Sequence, residues 1–131
     1  MNTYDDYTCR LYIEGDWSLN VLIDMIKDHT DGDKSVRTIV AQEFEIDLEN
    51  SQDADSHKLN DDDGFLFYRF GGYVEPSSKV EPKAYIEALS KLIVRLREDG
   101  ALVVASCDFE KEISRLTGWN WSSRKPKQPE V

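Results

Sequence analysis

Residues 36–48 read VRTIVAQEFEIDL, and the phase of that stretch decides how the sheet is built. Val36, Val40, Phe44, Ile46 and Leu48 share one parity, while Arg37, Glu43, Glu45, Asp47 and Glu49 share the other. A period of two predicts one long strand with an apolar face inward and an acidic face outward. Ile39 and Ala41 are apolar exceptions on the acidic side.

Working outward, residues 9–14 alternate in the same way. Cys9, Leu11 and Ile13 oppose Arg10, Tyr12 and Glu14, which predicts a half-buried strand. Gly15-Asp16 breaks it, and Ser18 is placed to cap a helix whose stripe is Leu19, Leu22, Ile23 and Ile26. Asp31-Gly32-Asp33 ends that helix as a turn cluster. Downstream, residues 50–63 are polar and acidic and read as a mobile loop. Phe65 to Val74 predicts a third strand, with Phe65, Phe67, Arg69 and Tyr73 on one face and a bulge or bend at Gly71-Gly72. Pro82 suits a helix first turn, and Ile86, Leu89, Leu92, Ile93 and Leu96 follow as its stripe, with Gly100 just past its end. Ala101 to Ala105 reads as a short apolar strand, and Asp108 is placed to cap a brief helix over 109–116.

The expected order is strand, helix, strand, strand, helix, strand. That is the split βαβ, ferredoxin-like pattern of an α+β fold: an antiparallel sheet, two helices on one face and a short C-terminal helix. In such a sheet the acidic strand lies at an edge. A length of 131 residues suits one domain, placed at 1–118, with 119–131 as a tail that holds Trp119, Trp121 and a basic, proline-containing end.

The chain carries a net charge of −10 and two cysteines. Such acidity argues against direct nucleic-acid binding, because phosphates reward lysine and arginine. No run approaches the roughly 20 apolar residues that cross a bilayer, and MNTYDDYTCR is no secretory leader. The expectation is a cytoplasmic protein with no membrane contact, in which Cys9 is buried and both Cys9 and Cys107 stay reduced near the same end of the sheet.

Between residues 43 and 63 stand nine acids: Glu43, Glu45, Asp47, Glu49, Asp53, Asp55, Asp61, Asp62 and Asp63, against the single base Lys58. That surplus holds most of the net charge. Charged edges discourage sheet-to-sheet aggregation and favour solubility, which is the bland reading. The functional reading is an interface with a basic protein, in which Glu43, Glu45, Asp47, Glu49, Asp61, Asp62 and Asp63 steer association while Phe67, Arg69 and Tyr73 anchor it.

Other chemistries find less support. An EF-hand loop started at Asp53 would meet His57, Lys58 and Gly64 where it needs an acid or amide, a glycine and a glutamate. The sequence therefore suggests no metal and no cofactor. His29 and His57 read as surface residues, and no GxSxG elbow, GxGxxG or P-loop is present. An enzyme using carboxylates on an open sheet face, or a protein–protein adaptor, remain the alternatives.

The acidic second strand, the segment GFLFYRFGGYVEP and the following YIEALSKLIVRLREDGALVVASCDFEKEI resemble small bacterial immunity proteins of contact-dependent growth inhibition and related polymorphic-toxin systems. The resemblance spans residues 36 to 113 and carries no catalytic motif. It implies a cytosolic, non-enzymatic inhibitor that forms a 1:1 heterodimer with the C-terminal domain of its cognate toxin. Many such toxins are nucleases with basic active sites, which suits the acid run.

Overall fold

The computed structural model describes residue 4, residues 6–59 and residues 63–120. Among them, the elements run β1 (Cys9–Glu14), α1 (Leu19–Thr30), β2 (Asp33–Ser35), β3 (Thr38–Val40), β4 (Phe44–Asn50), β5 (Phe70–Pro76), α2 (Pro82–Glu98), β6 (Leu102–Ser106) and α3 (Glu110–Thr117). The fold is α+β: a six-stranded antiparallel sheet of order β2-β3-β4-β5-β1-β6, with three helices.

The stretch 36–48 is not one strand. It reverses through a turn closed by the Ala41 N–H donating to the Phe44 carbonyl at 2.8 Å, so β3 folds back on β4. The reversal flips the phase. Ile39 and Ala41 point inward before the turn, Phe44, Ile46 and Leu48 after it, and Val40 is left exposed. Asp33–Ser35, of which Asp33 was expected in the turn cluster that ends α1, adds a further strand against β3. The expected four-stranded sheet is therefore extended to six strands, and β4 has a neighbour on each side. The expectation that the acidic strand forms an edge is overturned; β2 and β6 are the edges.

Two other readings change. Gly64–Phe67 forms a short 3-10 turn, and the strand begins at Phe70. The carbonyls of Phe67 and Arg69 are taken instead by the Asp55 and Ser51 N–H groups, at 3.0 and 2.9 Å. Those bonds fold the first part of the acidic loop, where Asp55 caps a 3-10 turn over Ser56–Lys58 by accepting from the His57 N–H at 2.9 Å. No bulge forms at Gly71-Gly72: both keep register with β1 and β4. These glycines serve close approach. A Cβ on Gly72 would lie 3.0 Å from Ile46 Cδ1 in the core, and one on Gly71 would lie 3.3 Å from Arg10 Nη2 on the opposite face.

The core lies between the helices and the inner face of the sheet. Cys9, Leu11, Ile13, Ile46, Leu48, Phe70, Val74, Val103 and Ala105 meet Leu22, Ile23 and Ile26 of α1, the Tyr85–Leu96 stripe of α2 and Ile113 of α3. Burying each large aliphatic side chain contributes about 1.5–3 kcal/mol. The helix ends follow their local chemistry. The Ser18 hydroxyl accepts from the Val21 N–H at 3.3 Å, Pro82 opens α2, and Gly100 and Gly118 supply positive φ past the ends of α2 and α3. α3 starts one residue later than expected, after Phe109, which is buried and makes no side-chain cap.

The outer face is covered over one half. Tyr68, Val104 and Trp119 form a second cluster with Tyr12, Leu59, Phe65 and Leu102. Trp119 also packs on Arg97, whose guanidinium carbon lies 3.6 Å from its ring centroid while Nη2 donates to the Val103 carbonyl at 2.7 Å. The Asn120 side chain donates to the Ala105 carbonyl at 2.9 Å and accepts from the Ala105 N–H at 2.7 Å. Side chains thus block the β6 edge, where a bare strand would invite pairing. Trp121 lies outside the described residues.

Cys9 is buried and Cys107 half-buried, both as free thiols, and the Cys107 thiol lies beside that of Cys9. They share one end of the sheet, as the strand pattern predicted. No helix among the described residues is long and apolar enough to cross a membrane.

Candidate functional site

Among the described residues, none covers the other half of the outer face, which spans β3, β4 and β5 with the adjoining edge of β1. Pairing across these strands sets three rows. Val40, Glu45 and Glu75 form the first; Thr38, Asp47, Tyr73, Arg10 and Ser106 the second; Glu49, Gly71, Tyr12 and Val104 the third. Alternation along each strand brings these side chains to one surface because their neighbours are committed to the core.

The charge there is poorly neutralised. Arg10 Nη2 lies 3.5 Å from Glu49 Oε1, a pairing that the missing Cβ of Gly71 leaves room for. Asp47 accepts from the Thr38 hydroxyl at 2.5 Å. Glu45 and Glu75 are directly opposite one another and both exposed. Among the described residues, neither they nor Asp47 form an ion pair. Like charges in direct cross-strand register cost the free protein stability.

Tyr73, 47% exposed, is the ridge of this surface. On one side lies a hollow of about 350 Å³ lined by Arg37, Thr38, Asp47, Leu48 and Glu49. On the other lies one of about 360 Å³, lined by Asp6, Asp108 and Glu110 together with Thr8, Arg10, Ser106 and Cys107. An aromatic ring thus separates two acid-lined hollows.

Of the residues singled out from the sequence, Glu45, Asp47, Glu49 and Tyr73 come together here. Glu43 does not: it lies in the β3–β4 turn and lines a hollow on the helix side with Lys91 and Arg95 of α2. Arg69 is engaged just before β5. Its N–H donates to Glu14 Oε1 at 2.8 Å, its guanidinium to the Trp17 carbonyl at 3.4 Å, and its Nη2 stands 3.9 Å from Glu14 Oε2. Phe67 sits in the 3-10 turn with Lys58 Nζ 4.8 Å from its ring centroid. Asp63 is exposed beside that turn, and Asp61 and Asp62 lie outside the described residues.

Sequence reasoning missed Arg10, Glu75 and the acids of the second hollow. Arg10 was legible as a polar-face residue of β1, and Glu75 shares the parity of Tyr73, but neither pattern says which strands will be neighbours. Among the described residues, no group of three or more His, Cys, Asp or Glu side chains is arranged to hold a metal ion. No protein-family model, curated protein or solved structure matches the chain.

Proposed function

We propose that this chain is a cytosolic immunity protein that binds and neutralises a basic toxin domain, a nuclease by class, in a 1:1 complex. The observation that carries the reading is Tyr73 standing between two acid-lined hollows on an open sheet face. Lysine or arginine side chains of a partner would enter the hollows and stack on the phenol ring, while the carboxylates take the place of substrate phosphates. The excess of unpaired acid speeds encounter with a basic surface, and the cost of the Glu45–Glu75 register is relieved once a partner's cations arrive. A shallow, open face suits protein binding better than turnover, which calls for a cleft that excludes water. We also read β1, β4, β5 and β6 with α1 and α2 as a split βαβ unit, to which the β2–β3 ribbon adds a wing on the acidic side.

Co-expression with the toxin domain encoded by the adjacent gene tests this directly. The expected result is rescued growth and a 1:1 complex on gel filtration, both lost when Tyr73→Ala is combined with Asp47→Lys. Absence of rescue and of complex by the wild-type chain would sink the proposal.

A further inference from the structure

The β1–β6 ladder pairs Arg10 with Ser106 and Leu11 with Ala105. The ladder ends at the Arg10–Ser106 pair; continued by one residue it would set Cys9 opposite Cys107, the first residue past β6. The kind of pairing can be read from its neighbours. Ala105 turns its N–H and C=O outward to Asn120, so Leu11–Ala105 is a non-hydrogen-bonded pair, and by alternation Cys9 and Cys107, two residues on, would be placed in the same way. Opposed residues of this kind stand with Cα atoms about 4.5 Å apart, inside the roughly 4.4–6.8 Å span that a disulfide bridges. The side chains share a face and the thiols are neighbours. Cys9 is 1% exposed, whereas Cys107 is half-buried and lines the hollow beside Tyr73, where a small molecule reaches it.

We propose that Cys9 and Cys107 are a paired oxidation site, closed to a reversible disulfide by a low-molecular-weight disulfide such as glutathione disulfide. The Cys107 thiolate attacks one glutathione sulfur, forming a mixed disulfide and expelling a glutathione thiolate. Cys9 then attacks the Cys107 sulfur and expels the second. Two protein thiols are oxidised, one glutathione disulfide is reduced, and the two protons lost by the cysteines end on the two glutathione thiols. Cys107, half-buried and reached from the hollow, is therefore the entry point, and Cys9, enclosed by the core, is the resolving group, which gives up its proton as it attacks. The bridge ties the start of β1 to the β6–α3 connection, closing a ring around most of the domain. This inference is independent of the partner proposed above.

The full chain is incubated with glutathione disulfide and its intact mass and disulfide-linked peptides are read. The expected product has lost two hydrogens, carries no glutathione, yields one linked Cys9–Cys107 peptide pair and is reversed by dithiothreitol. Its thermal midpoint should rise by about 10 °C, from the restricted unfolded chain. Cys9→Ser should instead retain glutathione on Cys107, and Cys107→Ser should stay unreacted. Glutathione persisting on wild-type Cys107, a bridge joining two copies, or no reaction at all would overturn the proposal. The wild-type mass decides even if Cys9→Ser does not fold.

Discussion

Glu45 on β4 and Glu75 on β5 are cross-strand partners, two exposed carboxylates in direct register on the outer face. Replacing one sign should therefore help the isolated protein. Glu75→Lys is expected to stabilise it by about 0.5 kcal/mol at low ionic strength. Urea unfolding checks this: the midpoint should rise at unchanged slope, and the gap should narrow in molar salt. A variant less stable than wild type at low salt would mean that the two carboxylates do not repel.

Tyr73 offers the reverse trade. Because it is half-exposed on the open face, Tyr73→Ala should change folding stability by no more than about 0.5 kcal/mol while costing about 2 kcal/mol or more in affinity for the toxin domain. Glu45, Asp47 and Glu49 all changed to lysine should slow association and flatten its salt dependence. Phe67→Ala, in the 3-10 turn, is the control expected to leave binding intact. Stopped-flow association across a salt series separates these effects.

Asn120 protects the β6 edge by satisfying both backbone groups of Ala105. Asn120→Ala frees them, and an expected loss of about 1–2 kcal/mol follows from two lost hydrogen bonds at a half-buried site. The exposed edge should also self-associate at high concentration. Thermal unfolding and light scattering report the two consequences, and an unchanged midpoint would show that water replaces the amide without cost.

Val36 sits at the tip of the β2–β3 ribbon with φ 53° and 85% exposure. A β-branched residue in the left-handed region pays a steric cost that no burial offsets here. Val36→Asn should stabilise the free protein by about 1 kcal/mol, since asparagine tolerates that conformation. Chemical denaturation would show it as a raised midpoint.

Alkaline pH should unfold the protein early. The adjoining Cys107 thiol and burial raise Cys9 above its ordinary 9.0. Burial, helped by Glu14 for Tyr68 and by Cys9 for Tyr85, raises both phenols above 10.0. Each folded-state value exceeds the unfolded one, so the folded state holds more protons; the stability these groups contribute is complete below about pH 9 and is lost as pH rises beyond it. Arg97 acts the other way, because burial lowers it from 12.5 to about 10, so the unfolded chain is the better proton binder between those values. One guanidinium against three acids leaves a net loss. The thermal midpoint should hold steady from neutral pH to about 8.5 and then fall, and Tyr68→Phe should soften that fall.

The amphipathic stripes of α1 and α2, the alternation of β1 and the inward parity of Phe44, Ile46 and Leu48 are local patterns, so the sequence by itself determined them: each depends on residues a few positions apart. Its acidity likewise marked β4 as the charged strand. The reversal between Val40 and Phe44 was also written there, in Ile39 and Ala41, but a phase slip looks like noise until a partner strand gives it meaning. Arg69 and Phe67 looked like neighbours of Tyr73 by parity, yet the loop at 51–55 took their backbone bonds and delayed the strand to Phe70. Only the tertiary structure decided that Glu75 would face Glu45, that Arg10 would lie beside Tyr73, and that Asp108 and Glu110 would close the second hollow. Those meetings join residues tens of positions apart. They follow from which strands pair, a choice made by burial of the whole inner face and invisible to any local periodicity.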